Sequence, residues 1–159
     1  MRRKRVCIIG CGNPIMGNDG AGILAMHLFE GRFPGVDAID GGSGGFGLIA
    51  LMEGYDKVVI VDAMVGIGDC AGDVLTFENP PTGGFHARIS HDIGIGDAVA
   101  IAKELGYTAE IVTIGIEVGE IQAFSREIDP AVRVGIRVAE EKILAILEDW
   151  IDCSGTIRQ

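Results

Sequence analysis

Three side chains in this sequence could act together on a metal ion or a polar bond: Asp19, Asp62 and His91. Two carboxylates and an imidazole suit a borderline divalent ion and leave positions open for a further ligand. Asp19 lies in Gly10-Cys11-Gly12-Asn13-Pro14-Ile15-Met16-Gly17-Asn18-Asp19-Gly20-Ala21-Gly22, with five glycines in thirteen positions. Glycines let backbone approach a ligand or another segment closely. An acid where such a loop turns into a helix often caps free N–H groups. A carboxylate held there can also be a metal ligand or a base, and the loop alone leaves both readings open. Asp62 falls at the carboxyl end of the apolar run Val58 to Ala63. A carboxylate there is costly unless it is paired, hydrogen-bonded or metal-bound, so Asp62 carries the strongest single-residue signal. His91 sits in Ser90-His91-Asp92 at an expected helix start. There the helix dipole lowers its proton affinity and favours the neutral, ligating imidazole.

Two other motifs compete for the same residues. Gly10-x-Gly12 opens a dinucleotide fingerprint and Asp40 ends the second strand, where a ribose-binding acid would stand. The third glycine is replaced by Ile15, and Pro14 disrupts the tight turn into a helix, so this match is weak. Gly41-Gly42-Ser43-Gly44-Gly45 fits G-x-S-x-G, and Ser43, Asp62 and His91 follow the chain order of a serine hydrolase triad. The chain is short for that fold and few strands precede the serine. A tight turn that lets the next helix pack close is the better account of Asp40-Gly41-Gly42. No H-E-x-x-H is present, which excludes a zincin.

The elements that must position these residues alternate. Arg5 to Gly10 reads as a strand buried on both faces. A helix runs from about Gly20 to Phe33, with His27 as a partly buried packing residue, and Pro34-Gly35 ends it. Val36 to Asp40 is a second strand and Phe46 to Met52 a short helix. Lys57 to Ala63 is a third strand and Asp73 to Phe77 a short fourth. A loop over 78–90, rich in proline and glycine, leads to a helix from Ile93 to Leu105 with Ser90 as N-cap. Glu110 to Ile116 is the fifth strand, and Asp129-Pro130 starts a helix reaching about Ile151. Its expected apolar stripe is Val134, Val138, Ile143, Leu144 and Leu147, with Glu140, Glu141 and Lys142 as the solvated face. The pattern argues one three-layer α/β/α domain over residues 1–159, its core about 5–151 and both ends frayed. If strands two and three flank strand one, the crevice between strands one and three receives Asp19 and Asp62, and the long loop can bring His91 over it.

With 159 residues, 48% of them hydrophobic, the chain can bury one real core. Its mean hydropathy of +0.35 argues against disorder. No apolar run is long enough to span a membrane, and the basic start Met1-Arg2-Arg3-Lys4-Arg5 precedes too short an apolar segment for a signal peptide. A net charge of −10 disfavours nucleic acid as a partner. Cys7, Cys11, Cys70 and Cys153 form no C-x-x-C pair and suit a reducing cytoplasm, with Cys11 as a small buried apolar residue.

Taken together, Gly12 to Gly22, Asp40 to Gly45, Val61-Asp62-Ala63, Ser90-His91-Asp92 and Ile114-Gly115-Ile116-Glu117 resemble, in order, the motifs of the hydrogenase maturation endopeptidases. The resemblance runs from about Val6 to Leu147. It implies a phosphorylase/hydrolase-like fold, with a five-stranded mixed sheet of order 2-1-3-5-4 and strand four antiparallel. It implies an enzyme that removes the C-terminal extension of a nickel–iron hydrogenase large-subunit precursor after nickel insertion. Asp19, Asp62 and His91 match the family's metal-binding positions. The nickel would be supplied by the substrate, with no organic cofactor and a monomeric enzyme. Whether the metal also polarises the scissile carbonyl stays open. Asn18 departs from the pattern, standing where many members have the first of two acids, and is expected to serve the turn. His86 matches no family position and reads as a loop residue. The small acidic chain looks similar to the archaeal deazaflavin-reducing hydrogenase proteases. The other reading of the same residues is a non-catalytic metal-binding or chaperone-like module.

Overall fold

Strand β1 (Val6–Gly10) is buried at every position, and β3 (Lys57–Met64) is buried from Val58 onward. Strands of this kind need cover on both faces, which parallel crossovers supply. The computed structural model, which describes residues 4–82 and 93–151, provides it. β2 (Val36–Asp40), β4 (Val74–Phe77) and β5 (Glu110–Glu117) complete one sheet of order β2-β1-β3-β5-β4. All neighbours are parallel except β4, which runs antiparallel to β5. Order and orientations are those implied by the resemblance.

Alternation along each strand sorts the core into two layers. Val6, Ile8, Val59, Val61, Ala63, Ile114 and Ile116 pack with α1 (Ala21–His27) and α4 (Pro130–Trp150). Cys7, Ile9, Val58, Ile60 and Ile111 pack with α2 (Phe46–Met52) and α3 (Ile95–Glu104). The three-layer arrangement follows. Among the described residues no helix is long and apolar enough to cross a membrane.

Several boundaries differ from expectation. α1 stops at His27, and bonds such as Phe29 N–H to the Met26 carbonyl continue the chain as tight turns toward Phe33. Gly31, at φ 64°, takes a left-handed conformation that no α-helix continues through. His27 is exposed rather than partly buried and pairs with Glu30 at 2.8 Å. α3 begins at Ile95 because Gly94 is extended, so neither Ser90 as N-cap nor His91 in the first turn holds for this helix. Ser90 and His91 themselves, like His86, Cys153 and the tail 152–159, lie outside the described residues.

The buried stripe of α4 is Val132, Gly135, Ile136, Ala139, Ile143, Leu147 and Trp150, while Val134 is 62% exposed. Small residues, Gly135 and Ala139, bring the helix close to the sheet, and a search for large apolar side chains passes over them. Glu140 is not simply solvated. Arg32 bonds it from the turn after α1 and Arg137 from its own helix, at 3.0 Å for the latter. The Arg32 bond foremost holds its carboxyl below the ordinary range.

Candidate active site

The site is built where β1 and β3 end. Gly10 lies opposite Val61 on one side and Asp40 on the other, so β2 and β3 do flank β1. α1 covers one face and α2 the other, which makes this the point where the winding reverses and a crevice opens. Main-chain bonds stitch the loops there. Cys11 N–H donates to the Val61 carbonyl at 2.8 Å, and Gly12 N–H to the Gly42 carbonyl at 2.7 Å.

Two glycines let the loop double back. Gly12 has φ +138°, and a Cβ on it would overlap the Asp19 carbonyl. A Cβ on Gly22 would lie 2.9 Å from the Asp62 Cα, so the start of α1 sits against the end of β3. Asp19 belongs to a 3₁₀ turn, Gly17–Gly20, that packs on β3. Only 4% exposed, it accepts the Asn13 N–H at 2.8 Å and so helps close its own loop. Asp62, 1% exposed, stands opposite Gly115 of β5. It shares the parity of Val58 and Ile60, the face that α3 covers. Two of the three candidate residues thus gather at one end of the sheet, and His91 lies outside the described residues. Among the described residues, no group of three or more His, Cys, Asp or Glu side chains is placed to hold a metal ion.

Asn18 does more than serve the turn. Fully buried, its amide nitrogen donates to the Asp129 carboxylate at 2.8 Å and the Glu120 carbonyl at 3.1 Å, with a longer bond to Val118. Its side-chain oxygen accepts the Asp129 N–H at 2.9 Å. This clasp ties the residue next to Asp19 to the residue that caps α4. An amide both donates and accepts, as the clasp requires, and a carboxylate cannot.

Glu117 was not singled out as a site residue. It ends β5, is 5% exposed, and accepts the N–H groups of Gly66, Ile67 and Gly68 at 3.2, 3.0 and 3.4 Å. It holds the loop that follows the end of β3 at Met64. The signal that marks Asp62, a carboxylate closing an apolar strand, was present here too.

The other candidates resolve simply. The Asp40 carboxylate accepts the Gly42 N–H at 2.8 Å, which is the tight turn, and Ser43 is exposed on it. Cys11 is buried, as a small apolar residue would be.

Comparison with known proteins decides the family. The family described as "HycI: Hydrogenase maturation protease" matches residues 24–146. The chain belongs to the hydrogenase maturation protease family. That match includes Asp62 and His91 and begins after the loop of Asp19. The chain is similar to the hydrogenase expression/formation protein HoxM of Azotobacter vinelandii, 27% identical over 94% of this chain and 79% of the relative. It is also similar to the Hydrogenase 2 maturation protease of Escherichia coli, 25% identical over 91% of this chain and 92% of the relative. The solved [NiFe] hydrogenase maturation protease HycI of Thermococcus kodakarensis superposes with a TM-score of 0.71 at 25% identity, covering 92% of this chain and 94% of that one. The E. coli endopeptidase HybD shares the fold, with a TM-score of 0.72 at 23% identity over 90% and 91% of the two chains. As a hydrogenase maturation protease, the protein is a hydrolase.

Proposed function

We propose that this hydrogenase maturation protease removes the C-terminal extension of a nickel–iron hydrogenase large-subunit precursor once nickel is in place. Asp19, Asp62 and His91 meet the nickel that the precursor carries. The observation that carries this reading is the pair of buried carboxylates gathered where β1 and β3 end. Oxygen donors and an imidazole fit a divalent ion and leave positions for donors from the precursor. Nickel is then part of the substrate, and no organic cofactor is invoked. The enzyme acts as a cytoplasmic monomer.

The chemistry is peptide hydrolysis. Water adds to the scissile carbonyl, the C–N bond breaks, and the departing amine takes a proton. A site carboxylate within reach of that water accepts its proton. Recognition of a substrate-borne ion makes cleavage a check on assembly, since the shared ligands contribute only when both proteins are docked.

The test uses matched nickel-loaded and nickel-free precursors. Cleavage of the loaded form alone is expected. Equal cleavage of the two would remove nickel recognition, and rapid casein digestion would point to a general protease.

A further inference from the structure

Phe124 carries two separate costs. It is 92% exposed, the most of any large hydrophobic among the described residues. It also has φ 56°, the sole non-glycine among them at positive φ. A bulky side chain in that region is strained, and an exposed ring forgoes the gain of burial. Its neighbours hold it in place. Ser125 N–H donates to the Ile15 carbonyl at 2.9 Å, and Gly17 N–H to the Ser125 carbonyl at 2.7 Å. Met16 and Ser125 form a parallel bridge, and Ile15 and Phe124 are the residues just before it on the two segments. Ile15 is 42% exposed. The strained segment is therefore fastened to the loop that reaches Asp19 four residues later.

Asn13-Pro14-Ile15-Met16-Gly17 and Ile121-Gln122-Ala123-Phe124-Ser125 contain no ionisable side chain, and the exposed Glu120, Arg126 and Glu127 flank the second of them. An apolar centre with charged residues at its margin fits an apolar patch that has a polar rim. A folded macromolecule brought to Asp19 comes up against the loop that carries Ile15 and is bonded to Ser125, next to Phe124.

We infer that Phe124, with Ile15 beside it, is the docking anchor for an apolar patch of the large-subunit precursor. This rests on the reading of Asp19 and Asp62 given above. Exposed aromatic side chains that become buried on association are the usual centres of binding energy. The left-handed conformation presents the ring to the partner at the expense of the free protein.

The test is steady-state cleavage of a nickel-loaded precursor that the wild-type protein processes, with melting curves for each variant. Phe124→Gly removes ring and strain together. It should raise KM roughly tenfold or more, with kcat little changed and Tm at or above wild type. Phe124→Tyr should retain the wild-type KM, and Ile15→Ser should raise it by less than Phe124→Gly does. A residue of purely structural role would lower Tm and leave KM alone. Asp19→Asn separates the two levels of the argument. If it is inactive while Phe124→Gly keeps the wild-type KM, the docking inference is overturned and the site reading stands. If Asp19→Asn cleaves normally, the site reading fails, and with it the inference. A dimer in sedimentation that Phe124→Gly dissociates would make the occupant a second copy and overturn the inference.

Discussion

The two ends of the sheet handle charge in opposite ways. At the amino end, charge is answered by charge, and each pair keeps at least one exposed partner. Arg5 reaches Asp37 at 3.5 Å and lies 4.4 Å above the Tyr55 ring, whose hydroxyl donates to Asp37 at 2.7 Å. Burial first, and that bond second, push the Tyr55 hydroxyl up to about 12. Lys57 donates to one oxygen of Glu110 at 2.9 Å and the Trp150 indole to the other at 3.0 Å. At the carboxyl end, Asn18, Asp19, Asp62 and Glu117 are buried. There main-chain amides serve Asp19 and Glu117. Exposed pairs contribute little to stability and are readily replaced. Buried acids carry a lasting desolvation cost, and clusters of them mark sites. The amino end ties the sheet together, and the carboxyl end gathers the buried acids to which the proposed chemistry is assigned.

Breaking the Asn18 clasp should give the largest structural effect. Asn18→Ala leaves the Asp129 N–H and the Glu120 carbonyl without their partner. A loss of about 2–4 kcal/mol is expected in denaturant unfolding, together with a fall in cleavage as the Asp19 loop loosens. A loss below about 0.5 kcal/mol, the range of an ordinary surface substitution, would show that the clasp is ornamental. Glu117→Gln sharpens the same contrast at smaller scale. Replacing a carboxylate that accepts three N–H groups should cost about 1–3 kcal/mol, read as a lower urea midpoint with unchanged slope.

The amino end should respond weakly. Glu110→Gln is expected to cost less than about 1 kcal/mol and to leave cleavage unchanged. Burial acts to raise the Glu110 pKa, but the hydrogen bonds from Lys57 and Trp150 outweigh it and lower the group from its ordinary 4.5. A folded-state value below the unfolded one gives stability that is present above 4.5 and lost as pH falls through the lowered value. The gap between wild type and Glu110→Gln in thermal unfolding should therefore close as the solution is acidified. A gap that widens in acid would reverse the assignment.

The same contrast explains what could be read from the sequence. Asp62 was legible because β3 is buried on both faces, so its apolar run is continuous and the carboxylate at its end stands out. β4 pairs with β5 across a long connection, and its antiparallel sense came from the family resemblance rather than from its own residues. Asn18 was illegible in its true role, since Asp129 lies 111 positions away and nothing local announces the pairing. Phe124 reads as an ordinary loop aromatic, because neither its φ nor its exposure is written in its neighbours. The α4 stripe was misplaced for a different reason. Gly135 and Ala139 pack by being small, and hydrophobicity does not score absence of bulk.

The most direct test of the central claim is Asp62→Asn, measured for cleavage of nickel-loaded precursor and for thermal unfolding in the same preparation. The substitution keeps shape and removes charge. If the buried acids are kept for chemistry, cleavage should fall by about 100-fold or more while Tm holds or rises. Wild-type cleavage, or a collapse of Tm with activity retained per folded molecule, would contradict the account.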